Sequence, residues 1–109
     1  MRASDILRAA VELIDTPEKW TKEASARGAS GRAVDPKGKS GVKFDTFGAV
    51  LRVGGHRAME KTLAFQRRAL PDEYGKNIGA FADDPRTTHA DVMAYMERAI
   101  CLAEREETQ

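Results

Sequence analysis

Histidine and aspartate stand close together where the chain reads Asp83-Asp84-Pro85-Arg86-Thr87-Thr88-His89-Ala90-Asp91. An imidazole oriented by a carboxylate can take or give a proton near neutral pH. His89 with Asp83, and with Asp45 if its helix packs nearby, is therefore the acid–base set this sequence offers. The same residues have a plainer use. His89 opens a helix, Asp83 and Asp84 suit the turn before it, and Thr88 with Asp91 three positions on forms a capping pair. The plainer use is the stronger reading, and no catalytic residue is assigned.

Other chemistries are excluded more directly. Zinc wants about four His or Cys ligands, and the chain holds only His56, His89 and Cys101. The EF-hand pattern is missing, as are the P-loop, the Gly-x-Ser-x-Gly elbow and the dinucleotide fingerprint. No metal and no cofactor is expected. Cys101 lies toward the end of the last helix, where the helix dipole opposes a thiolate. As the single cysteine it forms no internal disulfide, which suits a reducing cytoplasm.

Formal net charge is +1, so no global field draws a polyanion. The charge is uneven. Between Lys19 and Lys43 lie seven basic residues against two acidic ones, whereas from Asp83 onward seven acidic residues face three basic ones. Arg27, Arg32, Lys37, Lys39 and Lys43 are the candidate binding residues, able to contact phosphates or simply to solvate a loop.

The elements that must position these groups follow from periodicity. Ile6, Leu7, Ala10, Val11 and Ile14 give one apolar stripe and a helix over 5–15, with Ser4 as its cap. Pro17 opens a short helix to about Lys22 that carries Trp20 as a core anchor. Gly28, Ser30, Gly31, Pro36, Gly38 and Gly41 break up the next stretch. Short strands at 22–28 and 32–34 would make a hairpin about Gly31, with an ordered loop as the alternative, and 35–41 reads as a mobile linker. Asp45 caps a buried helix to Val53, and Gly54-Gly55 stops it. Another helix runs from His56 to Ala69. One or two turns follow between Tyr74 and Ala82. The last helix, from Thr88 to about Glu104, turns Val92, Met96, Ala99, Ile100 and Ala103 to one side, and the rest is expected to pack on it. Phe44, Phe47, Phe65 and Phe81 are expected inside.

The order Trp20-Thr21, Gly31-Arg32-Ala33-Val34-Asp35-Pro36, Phe44, Phe47-Gly48-Ala49, Asp83-Asp84-Pro85, Thr88-His89-Ala90-Asp91-Val92 and Arg98-Ala99-Ile100 resembles a group of small bacterial and phage proteins catalogued only as a domain of unknown function. The likeness spans nearly the whole chain. In that group the residue after the aromatic at Phe44 is usually Cys, within Cys-x-x-Gly-Ala. Here it is Asp45, so any thiol chemistry the group performs there is lost. The resemblance implies a fold and a mobile-element context, and it implies no activity.

The fold expected is mainly α: a single small domain over residues 1–109 with about four principal helices and a short β-hairpin near residues 22–34 as an option. No run reaches the length of a membrane span, and the N-terminus leads into an amphipathic stripe rather than a signal-peptide core. The function expected is a non-enzymatic cytoplasmic module that contacts an unidentified protein partner, with homodimerisation a way to bury more surface. Tyr74, Phe81 and Tyr95 are its candidate contact aromatics. Two alternatives stand beside it: a small enzyme using His89 with Asp45 or Asp83, and a nucleic-acid accessory protein using the 19–43 segment.

Overall fold

The computed structural model describes residues 1–108. Helix α1 spans Ala3–Leu13, β1 Ala26–Arg27, β2 Lys43–Phe44, α2 Thr46–Ala69, α3 Ile78–Asp83 and α4 His89–Glu107, with single 3-10 turns at Pro17–Lys19 and Asp72–Tyr74. Helices α1, α2 and α4 pack mutually. The core between them is built from Leu7, Ala10, Ile14, Ala49, Val50, Val92, Met96, Ala99, Ile100 and Ala103. The last helix thus shares its central place with the α1–α2 pair.

Local rules set most boundaries. The Thr88 hydroxyl accepts from the Asp91 N–H at 3.2 Å and the Asp91 carboxylate accepts from the Thr88 N–H at 2.9 Å, closing a reciprocal cap. The Asp45 carboxylate caps α2 through the Gly48 N–H at 2.7 Å. Inside α2 the helix breaks at Gly54 and Gly55, the second at φ +68° and ψ −157°, a conformation open to glycine and closed to residues with a Cβ. The two halves match the two helices expected over 45–53 and 56–69.

The N-terminal end departs from expectation. Ser4 lies within α1 rather than capping it. Its backbone N–H donates to Glu107 at 3.1 Å, and its hydroxyl donates to the same carboxylate. A carboxylate brought in by α4 satisfies the Ser4 N–H, while the Asp5 carboxylate accepts the Arg2 N–H at 3.1 Å as the local cap. Only one turn follows Pro17, because Trp20 leaves the helix and bridges Phe44 in extended conformation.

The glycine-rich stretch folds into a small ribbon. A tight turn over Gly28–Gly31 brings Arg32 and Val34 back against Gly28 and Ala26, as a hairpin over 22–34 would. The principal ladder of β1 is formed elsewhere: it runs antiparallel to β2, with Ala26 opposite Phe44 and Arg27 opposite Lys43. Residues 35–41, expected as a linker, are tied down. The Asp35 carboxylate accepts the Lys37 N–H at 2.8 Å, and the Arg52 guanidinium reaches the carbonyls of Gly38 and Lys37 at 2.5 and 3.3 Å.

Phe44 and Phe81 are buried, while Phe47 and Phe65 are half-buried against the core. Tyr95 is fully enclosed. Its hydroxyl donates to the Gln66 side chain at 3.2 Å, Gln66 donates to the Thr62 hydroxyl at 3.0 Å, and Thr62 donates to the Ala58 carbonyl at 3.0 Å. Three polar side chains of the α2–α4 contact are thereby satisfied inside the core. Tyr95→Phe removes the donor and strands the Gln66 oxygen. It is expected to cost about 1–2 kcal/mol, read as a lower urea midpoint with an unchanged slope.

Candidate functional site

The acid–base residues do not assemble around a cavity. The His89 Nε2 lies 2.6 Å from the Ile14 carbonyl. A carbonyl can only accept, so this nitrogen carries the proton. The ring also leans on Trp20, with centroids 5.7 Å apart. His89 is thus used to join the start of α4 to the end of α1. The carboxylate that senses it is Glu18. Its acidity is raised first by its own backbone N–H and the Thr16 hydroxyl, with a smaller contribution from His89.

Asp45 feels the charge of Asp83. Burial pushes the Asp45 carboxyl up to about 6, the Gly48 and Phe47 N–H groups pull against that, and the charge of Asp83 pushes it further up. Asp83 itself is exposed at the end of α3. Next in the chain, Asp84 is held well below the usual carboxylate range by Arg86 and by the Tyr74 hydroxyl, which donates to it at 2.6 Å. The Asp84 carbonyl accepts from Lys22 at 2.6 Å, and the Lys22 ammonium sits over the Trp20 ring. Asp45 and Asp84 thus serve the fold, Asp45 by capping α2 and Asp84 by closing a turn and tying the segment before β1 to the α3–α4 connection.

The basic candidates occupy different environments. The Arg27 guanidinium is spent internally, donating to the Thr21 hydroxyl at 2.9 Å and to the carbonyls of Gly31 and Lys22 at 3.0 and 3.1 Å. Arg32, Lys37 and Lys39 are exposed, and Lys43 is half-buried on β2.

A concave surface lies along α4, apart from a hollow of about 500 Å³ beside Phe47 and Leu63 and one of about 150 Å³ beside Met1 and Ile6. A groove of about 670 Å³ runs between α4 and the end of α2, lined by Arg68, Ala69, Ala94, Glu97, Arg98, Cys101, Leu102 and Arg105. It shares Ala94 and Arg98 with a hollow of about 280 Å³ that adds Pro71, Glu73, Tyr74, Phe81, Arg86, Thr87 and Asp91. It shares Cys101 and Arg105 with a third hollow that reaches Glu104 and Thr108. Together they form one furrow down the length of α4, on the side turned from the core.

Of the aromatics considered for contact, Tyr74 lines this furrow, Phe81 forms part of its wall while buried, and Tyr95 is inside the core. Ala94, Arg98, Leu102 and Arg105 were not among the candidates. Their signal is spacing: Ala94, Arg98, Cys101 and Arg105 recur every three or four residues opposite the Val92–Ala103 stripe, and Arg98 and Arg105 are cations in an otherwise acidic stretch.

A family model matches residues 1–101. The chain belongs to a family of unknown function, DUF6197. The match runs from α1 into α4, ending before Leu102 and Arg105 of the furrow, and agrees with the resemblance to a domain of unknown function. No curated protein and no solved structure matches the chain. No helix is long and apolar enough to cross a membrane among the described residues, nor does any group of three or more His, Cys, Asp or Glu there stand ready to hold a metal ion.

Proposed function

We propose that this DUF6197 member is a non-enzymatic protein-interaction module whose contact surface is the furrow along α4. The observation that carries this is the groove itself: the largest of the hollows described has an apolar floor of Ala69, Ala94 and Leu102 and a charged rim. Met1 and Val42 are the large apolar side chains left exposed among the described residues, so the apolar surface offered to a partner is in the groove and not on a flat patch. The acid–base reading has less support. His89 and Asp45 line none of the hollows described, and both are engaged by backbone groups of their own fold.

Cys101 is exposed on the groove wall and is the single cysteine, so a photo-crosslinker attached there reports what enters. Irradiation in a host extract is expected to give a discrete protein adduct. Ala94→Glu, which places a charged side chain on the floor from an exposed position, is expected to remove that adduct without changing the circular dichroism spectrum. An adduct pattern identical in wild type and variant would sink the reading.

A further inference from the structure

We infer that the furrow receives a peptide segment of a partner protein that carries carboxylates on one side and aliphatic side chains on the other. This rests on the furrow being the contact surface and names the chemistry of what enters it. Arg98 donates through Nε to the Ala69 carbonyl at 2.9 Å, a bond that holds its stem across the groove and leaves the two terminal nitrogens of the fork free to bind. The Arg105 side chain makes no hydrogen bond or ion pair among the described residues. The two arginines are two helical turns apart, about 10–11 Å along the axis, and both line the groove. Arg68 faces them from α2 and is paired with Glu106 at 3.0 Å.

Covering this wall removes water from two guanidinium groups. That is favourable only when an acceptor replaces the water, and a planar fork is best matched by a carboxylate that takes two N–H bonds at once. Leu102 lies between the arginines, Ala69 beside Arg98 and Ala94 one turn before it, and the two alanines leave room for leucine- or isoleucine-sized groups. A nucleic acid fits less well. The larger groove presents no aromatic ring on which bases could stack, Tyr74 in the adjoining hollow being the one partly exposed ring of the furrow, and Glu97 on the groove wall stands beside Arg98, where it repels a continuous line of phosphates. Isolated carboxylates seven helical residues apart meet the two arginines and avoid the rim.

The probe is a fluorescein-labelled, helix-forming peptide with two glutamates seven residues apart and leucines between them. Its mirror carries lysines in place of the glutamates. Fluorescence anisotropy is expected to show the glutamate peptide bound to wild type and at least tenfold weaker on Arg105→Glu, a substitution that breaks no hydrogen bond or ion pair among the described residues. On the double variant Arg98→Glu/Arg105→Glu the preference is expected to reverse toward the lysine peptide. Equal binding of both peptides to wild type overturns the inference, as does tighter binding of oligothymidine, or binding of neither peptide up to millimolar concentration. A Cys101 adduct that persists while neither peptide binds removes the acidic partner and leaves the contact surface standing. Absence of any adduct with the wild-type protein removes both.

Discussion

Alanine in place of Gly48 is expected to destabilise the protein by about 3 kcal/mol or more, at or beyond the upper end for an overpacked site and a large share of the roughly 5–15 kcal/mol that holds a domain of this size. A Cβ at Gly48 would lie 1.7 Å from the Ser25 carbonyl oxygen and 2.6 Å from its carbon. Both are backbone atoms. Ser25 cannot retreat, because its carbonyl accepts the Asp45 N–H at 3.1 Å and the next residue, Ala26, pairs with Phe44 and accepts from Val34. Moving it undoes the ribbon where it joins α2. The sign is diagnostic, since in a helix free of contacts the same change gains ~1 kcal/mol from propensity. Gly79 in α3 supplies the control: its Cβ would meet the Asn77 side chain at an ordinary 3.5 Å, and Gly79→Ala is expected to be neutral or mildly stabilising. Urea unfolding of the two variants decides. A Gly48→Ala protein as stable as wild type would mean that the Ser25 strand does not lie on α2.

What the sequence made legible is what neighbours in the chain decide. The Asp45 cap, the Gly54–Gly55 break and the Thr88–Asp91 pair each rest on residues within a turn of one another, and all are present in the fold. The partner of β1 was not legible, because strands of two residues carry no period and Phe44 arrives from across a long loop. Ser4 shows the same limit. A serine before an apolar stripe reads as a cap until a distant carboxylate, Glu107, takes over the first-turn N–H. Tyr95 sits on the same stripe as Val92, Met96 and Ala99, and its burial could have been read there. What the sequence could not show is that Gln66 and Thr62, on another helix, satisfy its hydroxyl inside the core. For the site, the sequence could state the condition that would bring Asp45 to His89, but only the fold shows Asp45 set beside Asp83 and His89 turned to Ile14. The furrow escaped notice because alanine and cysteine on the polar side of a helix carry no individual signal, and concavity arises only when the end of α2 is laid beside them.

Asp45→Asn is expected to raise stability at pH 7.5 by about 1–2 kcal/mol and to remove a pH dependence that wild type shows between pH 4 and 6. The Asp45 carboxyl ordinarily titrates near 3.8 and is pushed up to about 6 in the fold, chiefly by burial, with the Asp83 charge adding to it. Between those values the native state holds a proton that the unfolded chain has released. Stability therefore falls as pH rises through this window, and above it the ionised group costs on the order of 2–3 kcal/mol. Asparagine keeps an oxygen for the Gly48 N–H and is as good a cap as aspartate, but it carries no charge into the buried site. The neighbouring carboxylates act in the opposite sense. Asp84, Asp91 and Glu107 are all held below their usual values by their hydrogen-bond partners, so they stabilise the fold at neutral pH and lose that contribution only in more acidic solution. Wild type is thus expected to be most stable near pH 5, with Asp45 setting the neutral-side slope and the other three the acid-side slope. Urea midpoints at pH 3, 4.5, 6 and 7.5 separate the two. If Asp45→Asn lowers stability at pH 7.5, the ionised carboxylate gains more from the helix N-terminus than it loses to burial, and the slope belongs to another group.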